Sequence, residues 1–216
     1  MNFMLRKTVL MAGLLFTALL IISHPAPSWA AFNIDWSWKA DDLKKTYGQP
    51  LRVEHPSGPG SETLIYKIAL NNRPAYMHCH LLDNNLAAVN FEFENMPELN
   101  PDQAKTLAGV LESMVKPLFS NQPGEAFYNA GAASPTPGFN GKWVESRFIV
   151  WQNETTYALL GYLSIDFETN TGNKRRPQLL SLDIYNKRLP HTQSIIQGLE
   201  QKKHQLRPEK KQNPNL

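Results

Sequence analysis

His78-Cys79-His80 is the tightest cluster of metal-ligating side chains in this chain of 216 residues, and Cys79 is its only cysteine. On a β-strand, residues two apart project to the same face, so His78 and His80 can offer two imidazoles to one metal while Cys79 points the other way. A zinc site needs a third ligand. In the hairpin register derived below, Ala88 and Asn90 oppose the two histidines and Glu92 lies diagonal to His78, with His55 in a preceding loop as an unplaced donor. Two histidines alone make a poor site. The expectation is therefore a polar sheet face carrying His78 and His80, a core Cys79, and no metal or other cofactor. The same alternation separates Cys79 from both imidazoles, whereas a thiol nucleophile needs its base within hydrogen-bond reach.

Other chemistry has less to stand on. Asp166, Glu168 and Asp183 fall on strand-like runs, and as a set on neighbouring strands they would give a small hydrolase its carboxylates. Acids on strand faces are more often simply solvated. No Gly-x-Ser-x-Gly elbow, phosphate-cradling glycine loop or His-Glu-x-x-His motif is present. The stretch from Ser120 to Gly141 is rich in Gly, Ala, Pro, Asn and Ser and holds Phe127, Tyr128 and Phe139, which read either as recognition anchors or as rings packing back on the domain. Lys174-Arg175-Arg176 falls in a connection and reads as solubilising. Trp36, Trp38, Trp143 and Trp151 are too spread for a sugar platform. Asn153-Glu154-Thr155 is a formal glycosylation sequon, meaningful only in a eukaryotic secretory route.

The elements that must position these residues follow from periodicity. Ser37 reads as the N-cap of a short helix ending at Gly48. Three strand-like runs come next, Thr63 to Leu70, Pro74 to Leu82 and Leu86 to Glu94, and the last alternates Ala87, Val89, Phe91 and Phe93 against polar partners. A three-residue turn at Asp83-Asn84-Asn85, with Asn85 left-handed, sets Leu82 against Leu86, Cys79 against Val89 and Met77 against Phe91.

Pro101 to Phe119 is the strongest helix, capped by Asn100, with Pro117 bending or ending it. Three further strands are expected at Lys142 to Trp151, Thr155 to Phe167 and Gln178 to Asn186. An Asn153-Glu154 turn would place Phe148 against Leu159 and Val150 against Tyr157. Thr169 to Pro177 reads as the next connection. A closing helix from about Thr192 to Gln205 offers Ile195, Ile196 and Leu199 for docking. The fold class is α+β: two α-βββ units with an antiparallel sheet packed by helices on one face, and a short C-terminal helix.

The first 30 residues have the layout of a secretory signal peptide, with Arg6 and Lys7 before an apolar run from Thr8 to Ile22 and a cleavage site at Ser28-Trp29-Ala30. Removing them leaves 20 basic against 19 acidic groups, with the basic excess concentrated after residue 200, so nothing points to nucleic acid as a partner. Ala31 and Phe32 stand where a lipidated Cys would be, so the cleaved product is not membrane-anchored. The organisation is thus a signal peptide over 1–30, one domain over 31–206 with pseudo-repeat units 35–98 and 99–189, and a disordered basic tail over 207–216.

Trp38-x-x-Asp41-Asp42-Leu43-x-x-x-Tyr47-Gly48-x-Pro50, the Tyr66-bearing strand and the strand ending at Asn84-Asn85-Leu86 together resemble small exported bacterial modules. Over residues 36 to 94 the layout is similar to the helix-plus-three-strand domains of outer-membrane assembly lipoproteins and to the β-lactamase-inhibitor-like fold. The chain departs from the lipoproteins in lacking their lipidated Cys and in having one helix where they carry two. The resemblance implies a non-catalytic, protein-binding module. The reading is an exported, periplasmic or secreted, binding or assembly module of the bacterial cell envelope, partnered by a protein or envelope component through a sheet face and the Ser120 to Gly141 loop. The alternative is a small periplasmic hydrolase using strand carboxylates or a His-assisted metal.

Overall fold

A computed structural model describes residues 32–56, 58, 60–94, 99–132, 141–169, 172–203 and 207–208. The signal-peptide segment, Phe139 and the tail beyond Pro208 lie outside the described residues. The fold is mixed α+β. Its elements run α1 (Ala40–Tyr47), β1 (Arg52–Glu54), β2 (Ser61–Leu70), β3 (Arg73–Leu82), β4 (Asn85–Phe93), α2 (Pro101–Val115), β5 (Glu125–Ala132), β6 (Gly141–Gln152), β7 (Thr156–Thr169), β8 (Gly172–Asn186), α3 (Pro190–Lys203) and β9 (Arg207–Pro208). The strands form one sheet in the order β1-β2-β3-β4-β8-β7-β6-β5-β9, every neighbouring pair antiparallel. Each half is a meander that runs inward, β1 to β4 from one side and β5 to β8 from the other with β9 edging β5, and the two meet where β4 pairs with β8.

Short-range chemistry fixes the hairpins. Asn71 and Asn72 both take positive φ, as do Asp83 and Asn84, which is what a two-residue turn between twisted antiparallel strands requires. The expected three-residue turn is therefore corrected: Asp83 and Asn84 are the left-handed residues, and Leu82 opposes Asn85 rather than Leu86. A register shift between His80 and Leu81 restores the rest, so Cys79 opposes Val89 and Met77 opposes Phe91 as the alternation demanded. Gly60 sits against this turn with φ +74°, and a Cβ there would lie 2.1 Å from the Asp83 carboxylate.

The β6–β7 turn is also displaced by one residue. Asn153 Oδ1 accepts from the backbone N–H groups of Thr155 and Thr156, both at 2.9 Å, which makes Glu154-Thr155 the turn pair. Phe148 then opposes Gly161, and Val150 opposes Leu159. Moving a turn by one residue shifts the register by two, so the faces stay as expected.

In α2, Asn100 Oδ1 accepts from the Gln103 N–H at 2.8 Å and Gln103 Oε1 accepts from the Asn100 N–H at 3.1 Å, closing a capping box. Pro117 lies in the 3₁₀ turn Lys116–Phe119 that ends the helix. At α1 the N-cap is Lys39, not Ser37: the Ser37 hydroxyl is taken by Asp35 at 2.7 Å, and Asp42 accepts the Lys39 N–H.

The main core lies under α1 and α2. One row across the sheet reads Tyr66, Met77, Phe91, Leu182, Leu160 and Ile149, all within the cluster that Leu43, Leu107 and Leu111 complete. A second cluster of Phe127, Val150, Tyr157 and Ile196, joined by Phe148, Leu159, Tyr185 and Leu199, sits on the other face. That corrects the expectation of helices on one face: α3 packs opposite α1 and α2, over the β5–β8 half. Ile196 is buried there and Leu199 packs beside it, while Ile195 is 38% exposed and faces out.

Three strands were not expected. β1 and β9 are two or three residues long, and β5 occupies part of the stretch read as an aperiodic loop. β8 also begins at Gly172, so Lys174, Arg175 and Arg176 stand on a strand opposite Phe167, Asp166 and Ile165, not in a connection.

Candidate functional site

On the sheet face opposite α1 and α2, period-two alternation sets polar residues in register across five strands. One row reads Arg52, Ile65, His78, Asn90 and Asp183. The rows beside it bring Glu54, Thr63, His80, Ala88 and Tyr185 on one side, and Lys67, Tyr76, Glu92 and Ser181 on the other. Beyond β8 the face turns apolar and receives α3. The polar rows occupy the half that α3 does not cover.

The two imidazoles lie side by side, ring centroids 6.3 Å apart and planes 23° from parallel, with Tyr76 edge-on to His78 at 6.4 Å. His78 Nε2 is 3.8 Å from a Glu92 carboxylate oxygen, too far for a hydrogen bond, and this buried nitrogen has no hydrogen-bond partner among the described residues. His80 Nδ1 is 3.0 Å from the Thr63 hydroxyl. Asp183 accepts hydrogen bonds from Asn90 Nδ2 and, at 3.4 Å, from the Ser181 hydroxyl. Arg52 is held by Glu54 at 2.7 Å.

Burial dominates the electrostatics of this face. It lowers the His78 pKa against the opposing pull of Glu92 and Glu54, and it lowers that of His80, to which His78 adds. Burial likewise raises the Asp183 pKa, although Asn90 and Ser181 hydrogen-bond the charged form. Cys79, on the opposite face, is fully enclosed, and burial pushes its thiol up to about 12. It is out of reach of either imidazole.

The structure thus brings His78, His80, Glu92 and Asp183 onto one face and leaves the other candidates apart. Asp166 opposes Arg175, seven residues along β7 from the position opposite Asp183, roughly 23 Å at strand rise. Glu168 lies farther out, opposite Asn173. His55 is exposed in the segment after β1. Phe127 is buried in the second cluster with the Lys203 ammonium 5.0 Å above its ring, and Tyr128, its neighbour on β5, opposes Arg147. Among the described residues, no three His, Cys, Asp or Glu side chains already converge on a metal position.

Asn90 was legible in the sequence as the residue opposite His78, whereas Thr63, Glu54 and Tyr185 went unnoticed as site residues. The two-residue turn at Asn71-Asn72 would have placed Thr63 against His80, but nothing local pairs β4 with β8. Two open clefts of about 470 and 500 Å³ flank the β6–β7 turn at the far end of the sheet. In the first, the Trp36 indole N–H donates to the Thr156 hydroxyl at 2.9 Å. Asn153 lines both clefts, its side-chain amide donating to the Leu118 carbonyl at 3.1 Å, so the sequon nitrogen is engaged in the fold.

No helix among the described residues is long and apolar enough to cross a membrane. No protein-family model, curated protein or solved structure matches the chain.

Proposed function

We propose that this chain is a non-enzymatic binding module of the bacterial cell envelope, exported by its N-terminal segment, which takes its partner on the polar sheet face around His78 and His80. One observation carries the reading. Half-buried His78, His80, Asn90 and Asp183 stand together on β3, β4 and β8, on the part of the face that α3 leaves uncovered. Buried polar groups cost stability unless they are matched, so a surface of this kind is maintained for what it contacts.

The strand order supports a finer reading, that residues 35–98 and 99–189 are two related α-β units. In each, a helix precedes a meander that runs inward to a central last strand, β1 to β4 in one and β5 to β8 in the other, with the short β9 beyond β5. Asn90 and Asp183 would then mark the joint between units, where they bond each other. The Ser120 to Gly141 stretch contributes less to this proposal than its sequence promised, because Phe127 is committed to the packing under α3.

Imidazole NMR of the purified protein tests the proposal. Envelope extract is expected to shift the His78 and His80 ring resonances and leave those of His55 and His191, both exposed elsewhere, in place. Unmoved His78 and His80 signals overturn it. The hydrolase reading rests on the same grouping of His78, His80, Glu92 and Asp183, and turnover of an ester, peptide or glycoside that His78→Ala abolishes would decide in its favour.

A further inference from the structure

We propose that the outer edge of β1 pairs with the same edge of a second copy of this chain, as two antiparallel strands centred on Val53, so that two sheets join into one. The inference does not depend on what the polar face binds.

Among the described residues β1 ends the sheet, with β2 on one side and no strand on the other. Arg52, Val53 and Glu54 are all exposed, and Leu51 before them is 62% exposed. The free N–H and C=O groups of such an edge are a template for another strand. A run of like charge would repel a second copy, but here the two charges are opposite in sign and stand symmetrically about an apolar residue. A two-fold axis through Val53 therefore sets Arg52 of each copy against Glu54 of the other, and Val53 against itself. Pro50 and Pro56 lie three residues to either side of Val53 and have no N–H to donate, which limits the pairing to Leu51 through His55.

Both faces of the sheet favour this arrangement. Ile184, Val89, Cys79 and Leu64 form a core row that runs out to Val53, which is left 39% exposed at its end. Val53 of a second copy continues that row and covers it. On the opposite face Arg52 and Glu54 sit 2.7 Å apart within the strand, and the matching pair from the second copy turns them into a ring of four alternating charges. The two polar faces then lie on the same side of one surface.

Sedimentation of untagged protein, with charge-reversal and cysteine variants, tests the pairing. Dimer should accumulate between about 10 µM and 1 mM, as a small interface implies. Arg52→Glu and Glu54→Arg should each weaken it about 10-fold or more, because each sets like charges opposite twice, and the double variant should restore it. Val53→Cys should form a disulfide-linked dimer, since residues directly opposite have Cα atoms about 4.5–5.5 Å apart. Leu51→Cys should not, because the two copies of that residue lie about 14 Å apart in this register. Cys79 is fully buried and does not compete in native protein. Circular dichroism identifies any variant that fails to fold, and the wild-type mass alone decides whether the dimer exists. A chain that stays monomeric to about 1 mM overturns the proposal, including the case where the edge takes a strand from a different protein. A dimer indifferent to Arg52→Glu, or cross-linked as readily through Leu51→Cys as through Val53→Cys, overturns it as well.

Discussion

Leu182 and Asp183 are neighbours in sequence, yet the sheet places them in opposite environments, and substituting each in turn tests that partition. Leu182 is fully buried at the centre of the main core, in register with Phe91 and Leu160. Leu182→Ala deletes about three buried carbons at about 0.8 kcal/mol each, and the residual cavity brings the cost to about 3–4 kcal/mol. For a domain of this size that lowers the Tm by roughly 6–15 °C. Asp183 faces the polar side, where burial holds its pKa above the ordinary carboxylate value while Asn90 and Ser181 bond it and Glu92 adds like charge. A raised folded-state pKa means that the native state binds protons more readily than the unfolded state. The charged carboxylate therefore costs stability at pH 7, and that cost fades as pH falls through the folded pKa toward 3.8. Asp183→Asn keeps an oxygen for Asn90 and should leave the protein as stable or more stable at pH 7, with the difference vanishing below pH 4. Urea unfolding at the two pH values reads both effects. A Leu182→Ala cost under about 1 kcal/mol, or a destabilising Asp183→Asn at pH 7, would refute the assignment of faces.

Gly124 and Cys79 give two further tests. A Cβ on Gly124 would lie 2.3 Å from Ile149 Cγ2 and 2.5 Å from the Trp151 ring, so Gly124→Ala should cost about 1–3 kcal/mol and change tryptophan emission; an unaltered Tm and spectrum would contradict the packing. The Cys79 thiol, buried with its pKa near 12, should resist a disulfide reagent at pH 8 in native protein and react once in denaturant, and rapid native labelling would show that the core does not close over it.

The sequence by itself determined whatever depends on a few neighbouring residues. Alternation in β4 and β8 assigned their faces, Asn100 and Pro101 marked the start of α2, and Cys79 against Val89 followed from which residues are apolar. Turn residues were harder to locate to the residue, because Asn84, Asn85, Asn153 and Glu154 all suit a turn, and in the β3–β4 hairpin a bulge at His80/Leu81 absorbed the difference. β5 escaped because Glu125 to Ala132 has little apolar periodicity of its own and is held by pairing with β6.

The candidate site needed more than that. His78 and His80 were legible as two imidazoles on one polar face, since parity is local. That Asp183 stands in the row of His78, and that α3 takes the far half of this face and does not reach theirs, depended on β8 crossing the sheet to pair with β4 nearly a hundred residues away. No residue type or spacing encodes such a pairing. It emerges when two meanders bury their apolar faces under α1 and α2 and the last strand of each finds an unpaired edge in the other.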